Sequence, residues 1–107
     1  MNFNIFMDQF SVPVLFMIFN RPDTTVQVFE QIKKMKPRQM FIAADGPRLN
    51  NQDDLLKCAA VRIVVEAIDW PCEVFRKYEE KNLGCKMGAS SAITWFFKNV
   101  EEGIILE

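Results

Sequence analysis

Two short, uninterrupted runs of apolar residues stand out in the chain, and each is followed at once by polar turn residues. The first run covers residues 13–19 and stops at Asn20, and the second covers residues 40–44 and stops at Asp45. Short runs with β-branched or aromatic residues and no alternation are typical of strands with both faces buried, as in a parallel sheet. We therefore predict two central parallel strands.

The segment between these runs has its apolar residues at helical spacing. Val28, Ile32 and Met35 follow at steps of four and three residues, so residues 23–36 are predicted to form an amphipathic helix. Pro37 is expected to end that helix. A helical connection of this length makes the two strands parallel and the crossover right-handed.

The second half of the chain repeats the alternation of helix and strand. In chain order we predict a helix that begins in residues 50–54 and continues to 67, a more exposed strand over 72–78, a helix with its apolar face in 89–100, and a buried strand over 103–107. This order predicts an α/β fold with three layers, α/β/α, and a mostly parallel, Rossmann-like sheet.

The chain has room for one domain, which we place at residues 12–107 after a leader at residues 1–11. A buried parallel strand needs neighbours on both sides, and nothing follows residues 103–107 to supply them. We therefore expect a truncated fold, the front portion of a larger α/β domain. The alternative is a complete small flavodoxin-like module.

Charge and hydropathy narrow the range of partners. Thirteen basic and fourteen acidic residues leave a net charge of −1, which gives no basic excess for nucleic acid or an anionic membrane. The longest apolar stretch is far shorter than the roughly 20 residues of a membrane span, and the first ten residues lack the cations of a secretory signal. We expect a soluble, cytoplasmic protein that has no membrane span and does not bind nucleic acid.

The chain contains no histidine, which excludes a Ser-His-Asp or Cys-His catalytic group and an imidazole zinc site within these residues. Cys58, Cys72 and Cys85 are odd in number and form no C-x-x-C pair. They are predicted to be reduced thiols, packed as small hydrophobic residues.

Polar loops follow the predicted strands at residues 20–23, 45–48 and 81–86, and Glu107 follows the last strand. Ligands of open parallel sheets bind beyond the carboxyl ends of the strands, so we expect these loops to meet at one site. Each loop alone is also ordinary turn sequence; their coincidence at one edge favours a site.

The glycine patterns of two nucleotide-binding motifs are absent. Gly84 and Gly88 lack the Lys-Ser/Thr of a P-loop, and no G-x-G-x-x-G array occurs. A nucleotide would instead be bound with Asp45 at the base or ribose, with Arg21 and Lys81 near the phosphates, and with help from a helix N-terminus.

Four segments resemble the start of bacterial nucleotide-diphospho-sugar transferases of the GT-A fold, in the family-2-like group of glycosyltransferases. They are PVLFMIFNRP at residues 13–22, IAADGPR at 42–48, EKNLGC at 80–85 and EGIILE at 102–107. The resemblance covers residues 12–107, and the animal N-acetylglucosaminyltransferase I is a more distant relative. The resemblance implies a nucleotide-sugar donor and an acceptor that the sequence does not identify.

The resemblance also implies roles for particular residues. Asp45 would contact the base or ribose, and the segment around Lys81 would close over the nucleotide. The full set of implied nucleotide-binding residues is Asn20, Arg21, Asp45, Lys81, Asn82 and Gly84.

Glu107 would be the first residue of an acidic cluster that holds a divalent cation, Mn²⁺ or Mg²⁺, on the diphosphate. The other acids of that cluster, the acceptor half and the usual general base are absent from these 107 residues. No catalytic residue is therefore assigned, and the 107 residues alone are expected to be inactive although the parent protein is an enzyme.

The leading hypothesis is therefore the donor-binding half of a glycosyltransferase. The alternative is a non-catalytic α/β binding or interaction module, and a nucleotidyltransferase is a weaker third hypothesis because the glycine-rich loop of that class is missing after the first strand. A homodimer through an exposed sheet edge is a further expectation.

Overall fold

The computed structural model describes residues 10–107, which form four strands and three helices. Their bounds in chain order are β1 Val14–Ile18, α1 Pro22–Met35, β2 Gln39–Ala44, α2 Gln52–Val64, β3 Glu73–Tyr78, α3 Cys85–Asn99 and β4 Ile104–Leu106. Helix α1 ends in a left-handed Lys36, with Pro37 directly after it. The α/β alternation predicted from the sequence is confirmed.

All four strands are parallel and lie in the order β3-β2-β1-β4. In β1, Phe16 pairs with Ile42 of β2 on one side and with Leu106 of β4 on the other. The chain moves outward from β1 to β3 and then returns across the sheet to β4. The strand order therefore reverses between β1 and β4, and this reversal is the switch point at which open α/β sheets bind ligands.

The helices cover both faces of the sheet, so the molecule has the three predicted layers. On one face, Phe16 and Ile42 pack with Phe29 of α1 and Val61 of α2. On the other face, Leu15, Phe41 and Ala43 pack with Ala92 and Phe96 of α3. Successive side chains of a strand point to opposite faces. The unbroken apolar runs are thus explained by burial on both sides.

Three predicted features differ in detail from the structure. Helix α2 ends at Val64 rather than 67, because the amides of Glu66 and Ala67 donate to the carbonyls three residues back, at Ile63 and Val64, instead of four. Strand β4 is not buried as predicted, since β1 is its only neighbour among residues 10–107 and Ile105 remains partly exposed. Cys85 is exposed rather than packed in the interior.

Residues 1–9 of the predicted leader lie outside the described residues. Phe10, near the leader's end, donates its amide to the Met35 carbonyl and accepts from the amide of Arg38. It also packs against the core formed by α1 and α2. The chain is therefore attached to the domain from Phe10 onward.

The longest described helix, α3, has 15 residues, whereas a helix that crosses a bilayer needs about 20 apolar ones. Within residues 10–107 no helix has both the length and the apolar character for such a crossing.

Candidate functional site

A cleft of about 640 Å³ lies at the carboxyl end of the sheet. It is bordered by the ends of β1 and β2, the first turns of α1 and α3, the loop after β3, and the residue after β4. Its polar and charged lining consists of Asn20, Arg21, Thr24, Thr25, Asp45, Arg48, Lys77, Glu79, Asn82 and Glu107. The loops that the sequence analysis expected to meet do converge here.

Asp45 joins the loop after β2 to the loop after β3. Its Oδ1 accepts hydrogen bonds from the amides of Gly46 and Leu83, both at 2.8 Å, and its Oδ2 accepts from the Asn82 amide group at 3.2 Å. Asn82 also donates to the Gly46 carbonyl at 3.0 Å. We call Asp45, Gly46, Asn82 and Leu83 the Asp45 cluster. Its donors are all uncharged.

The two loops of the Asp45 cluster approach so closely that only glycine fits at position 46. A Cβ on Gly46 would lie 2.6 Å from the backbone carbonyl carbon of Lys81. The backbone of Lys81 is therefore beside the β2 loop. Its side chain, however, is exposed and does not line the cleft.

A second carboxylate, Asp54 in the first turn of α2, connects three elements at the same edge of the sheet. It accepts from the Nδ2 of Asn20 after β1 at 2.9 Å, and from the backbone N, Nε and Nη2 of Arg48 at 3.0, 2.6 and 2.8 Å. Asn51 caps α2 by accepting the Asp54 amide at 2.9 Å. We call Asn20, Arg48, Asn51 and Asp54 the Asp54 cluster.

The Asp54 carboxylate is fully buried, whereas the Arg48 side chain is 57% exposed. The hydrogen bonds from the Arg48 side chain hold the pKa of Asp54 far below its ordinary range, and the Arg48 amide and Asn20 lower it further against the opposing effect of desolvation. The same hydrogen bond raises the pKa of Arg48. The Asp54 carboxylate is therefore stabilised in its ionised form, and protein donors rather than a substrate occupy its oxygens.

Arg62 of α2 stabilises the backbone next to the Asp45 cluster. Its Nη2 donates to the carbonyls of Asp45 and Glu79 at 3.2 and 2.7 Å, and its guanidinium lies 4.9 Å from the ring centre of Tyr78. Arg62 thus joins the ends of β2 and β3.

Arg21 stands at the N-terminus of α1, where its carbonyl accepts from the amide and hydroxyl of Thr25 at 2.9 and 2.7 Å. Its side chain lines the cleft and is exposed. Within residues 10–107 the guanidinium takes part in no ion pair. By contrast, Lys77 in the same cleft is paired with Glu79 at 2.7 Å.

Helix α3 begins beside the cleft. Its N-cap is Gly84, which has a φ of +89° and no side chain to cap the first amides. The first turn holds no acidic residue. Gly84 itself does not line the cleft, but Cys85 and Gly88 do. An uncapped helix start of this kind presents free N–H groups and the positive end of the helix dipole.

Glu107 lines the cleft at the end of β4. Within residues 10–107 no group of three acidic or cysteine side chains is arranged to hold a metal ion. The carboxylates of Asp45 and Asp54 are already bound to protein donors. The described residues therefore do not by themselves form a divalent-cation site, and Glu107 offers one carboxylate to such a site.

The structure brings together the cleft-lining part of the predicted site: Asn20, Arg21, Asp45, Asn82 and Glu107. The Lys81 side chain and Gly84 lie just outside it. Sequence reasoning missed Asp54, Arg62 and Gly88. Asp54 was counted among the polar residues that begin a helix. Its spacing of four and seven residues from Cys58 and Val61, which share its buried face, is the signal that could have separated it from exposed Asp53.

Comparisons of the chain with protein-family models, with curated proteins and with solved structures found no match.

Proposed function

We propose that this chain is the donor-binding part of a glycosyltransferase and that the cleft takes a nucleoside diphosphate sugar. The observation that carries the proposal is the position of the cleft, between β1 and β4 at the switch point of a parallel sheet, with the first turns of two helices on its border. The cleft volume is in the range of small-molecule sites. The resemblance in sequence supports the sugar-nucleotide class.

The start of α3 and Arg21 suit the diphosphate. Helix N-termini with free amides bind phosphate groups, and α3 has neither an acidic first turn nor a side-chain cap. Arg21 adds a guanidinium that has no ion-pair partner within residues 10–107.

Asp45 suits the nucleoside. Among residues 10–107, Oδ1 accepts two hydrogen bonds and Oδ2 accepts one, so Oδ2 keeps a lone pair for an N–H or O–H group of a base or ribose. Gly88 faces that oxygen, and a Cβ there would be 3.1 Å from it. The absence of a side chain at position 88 keeps Oδ2 accessible from α3.

The divalent cation stays a prediction. Glu107 would contribute to it, and the bound ion would neutralise charge on the leaving diphosphate. Since the described residues do not form a complete metal site, we derive no catalytic step through it. The second candidate is a non-catalytic α/β binding or interaction module whose polar loops contact a partner.

The proposal retains two expectations about context. We place the protein in the cytoplasm, and we expect the sheet edges at β3 and β4 to support a homodimer. Phe75 on β3 and Ile105 on β4 are 39% and 38% exposed, which leaves apolar surface at both edges.

Isothermal titration of the chain with UDP, GDP, ADP and CDP, each with and without Mn²⁺, tests the proposal. We expect one of them to bind, and binding that requires Mn²⁺ favours the transferase over the non-catalytic interaction module. Failure of all four to bind would show that the proposal is wrong.

Two variants then locate the ligand. Gly88→Ala should weaken nucleotide binding about tenfold because the methyl group covers Oδ2 of Asp45, while the contacts within the Asp45 cluster remain. Ser90→Ala, on an exposed site of the same helix, is the matched control. Cys85 provides an independent readout, because a bound nucleotide should slow alkylation of this exposed, cleft-lining thiol.

A further inference from the structure

The guanidinium of Arg48 is held in a fixed plane at the border of the cleft. Its Nε and Nη2 donate to both oxygens of the buried Asp54 carboxylate, at 2.6 and 2.8 Å. Paired bonds of this kind fix orientation as well as distance. The backbone amide of Arg48 donates to the same carboxylate at 3.0 Å, so main chain and side chain are held together.

The ion pair also removes most of the net charge that Arg48 would bring to the cleft. A guanidinium has five N–H donors, of which Asp54 takes two, so three remain for a ligand. A compensated cation attracts distant phosphate weakly, whereas its flat face and remaining donors are unaffected. Arg48 therefore differs from Arg21, which has no ion-pair partner within residues 10–107.

An aromatic ring stands beside this plane. The Cζ of Arg48 lies 5.9 Å from the ring centre of Phe19, and both residues line the cleft. More than half of the Arg48 side chain is still exposed. Guanidinium planes and aromatic rings are the two kinds of side chain on which nucleobases stack.

We propose that Arg48, positioned by Asp54 and backed by Phe19, recognises the planar base of the nucleotide, while Arg21 attracts the phosphates. This inference rests on the proposed nucleotide binding and adds that the two arginines bind different parts of the nucleotide. Asp54 is a positioning residue, since its carboxylate is buried and bound to protein donors.

The test compares UDP, or whichever nucleoside diphosphate the chain binds, with inorganic pyrophosphate, which has the phosphates and no base. Arg48→Lys keeps the charge and loses the flat fork, so it should weaken nucleotide binding about tenfold and leave pyrophosphate binding unchanged. Asp54→Asn should likewise weaken nucleotide binding more than pyrophosphate binding. Arg21→Gln should weaken both ligands and reduce the dependence of binding on salt.

Arg76→Lys is the matched control, because Arg76 is in an exposed ion pair with Glu66 at 3.5 Å and does not line the cleft. Circular dichroism would establish that each variant is folded. If Arg48→Lys does not fold, Phe19→Leu tests the same surface and should weaken the nucleotide alone.

The results separate this inference from the proposed function. Equal weakening of nucleotide and pyrophosphate by Arg48→Lys would make Arg48 a phosphate ligand and overturn the inference, as would the absence of any effect. A wild-type chain that binds the nucleotide but not pyrophosphate would contradict the role given to Arg21. A wild-type chain that binds no nucleotide would overturn the proposed function itself.

Discussion

Two carboxylates hold the loops at the border of the cleft, and they do so in different ways. Asp54 is fully buried and accepts four hydrogen bonds, three of them from Arg48. Asp45 is half-buried and accepts three, all from uncharged amides. The first carboxylate is saturated and electrically compensated, whereas the second keeps acceptor capacity and charge.

The difference indicates how one edge of a sheet can serve both stability and binding. A buried charge is tolerated only where a partner and a full set of hydrogen bonds compensate for the lost water. Such a group cannot also bind a ligand. A partly solvated carboxylate with neutral donors has a smaller desolvation penalty, and its free lone pair stays accessible. We therefore regard the Asp54 carboxylate as the support that positions Arg48 and Asn20, and the Asp45 carboxylate as the one that stays open to a ligand.

The largest expected effect is the coupling between Arg48 and Asp54. A double-mutant cycle with Arg48→Met and Asp54→Leu, measured by urea unfolding, should give a large coupling, because Arg48→Met alone leaves a buried carboxylate unpaired. The control cycle uses Asp53 and Lys57 on the same helix, an exposed pair at 3.0 Å. The coupling energy of that pair should be about 0.3 kcal/mol, several times smaller than the coupling energy of Arg48 and Asp54. Equal coupling energies in the two cycles would contradict our distinction.

The next effect is on the pH dependence of stability. The pKa of Asp54 in the folded chain lies below its ordinary value of 3.8, so as pH falls below about 4 the unfolded chain takes up a proton that the native chain does not. The stabilisation is complete above that pH and is lost progressively toward lower pH. Asp54→Asn should flatten the fall in unfolding free energy between pH 5 and 3, and an unchanged fall would contradict the role given to the Asp54 carboxylate.

A smaller loss is expected at Asp45. Asp45→Ala leaves the Leu83 and Gly46 amides without an acceptor and should lower the free energy of unfolding by about 2 kcal/mol. The diagnostic measurement is amide hydrogen exchange at Leu83, which should become fast while amides in α2 stay protected. A global increase in exchange would show instead that Asp45 supports the whole fold.

The smallest effect is at the helix cap next to Asp54. Asn51→Ala removes the acceptor of the Asp54 amide and should cost about 1 kcal/mol in thermal or urea unfolding. Gln52→Ala, at an exposed position in the first turn of α2, should be close to neutral. If both changes have the same small effect, the cap does not contribute to the Asp54 cluster.

The elements and their arrangement were largely predictable because their signals are local. Residues 13–19 and 40–44 are apolar without interruption, which occurs when helices cover both faces of a strand. The exposure of Ile105 was not predictable in the same way, because a short apolar run is compatible with a strand at the edge of a sheet and with one at its centre. Only the position of β4 outside β1 distinguishes them.

The site was predictable as a set of loops but not as a set of side chains. Topology brings the residues after β1 and β2 to one edge, and Asn20 and Asp45 are there as expected. The direction of a loop side chain depends on its exact backbone and neighbours, so the Lys81 side chain was assigned to the cleft although it lies outside. Asp54 was missed because one of its partners, Asn20, is 34 residues away in sequence.

Three features follow from the sequence alone, because periodicity and chain connectivity determine them. They are the succession of strands and helices along the chain, the burial of both faces of β1 and β2, and the sheet edge at which the polar loops lie. The partners of the buried acid that supports the cleft, Arg48 and Asn20, were decided only in three dimensions. Asp53 and Asp54 are the same residue type side by side in one helix, and the turn of that helix places one beside Arg48 and Asn20 and the other in water.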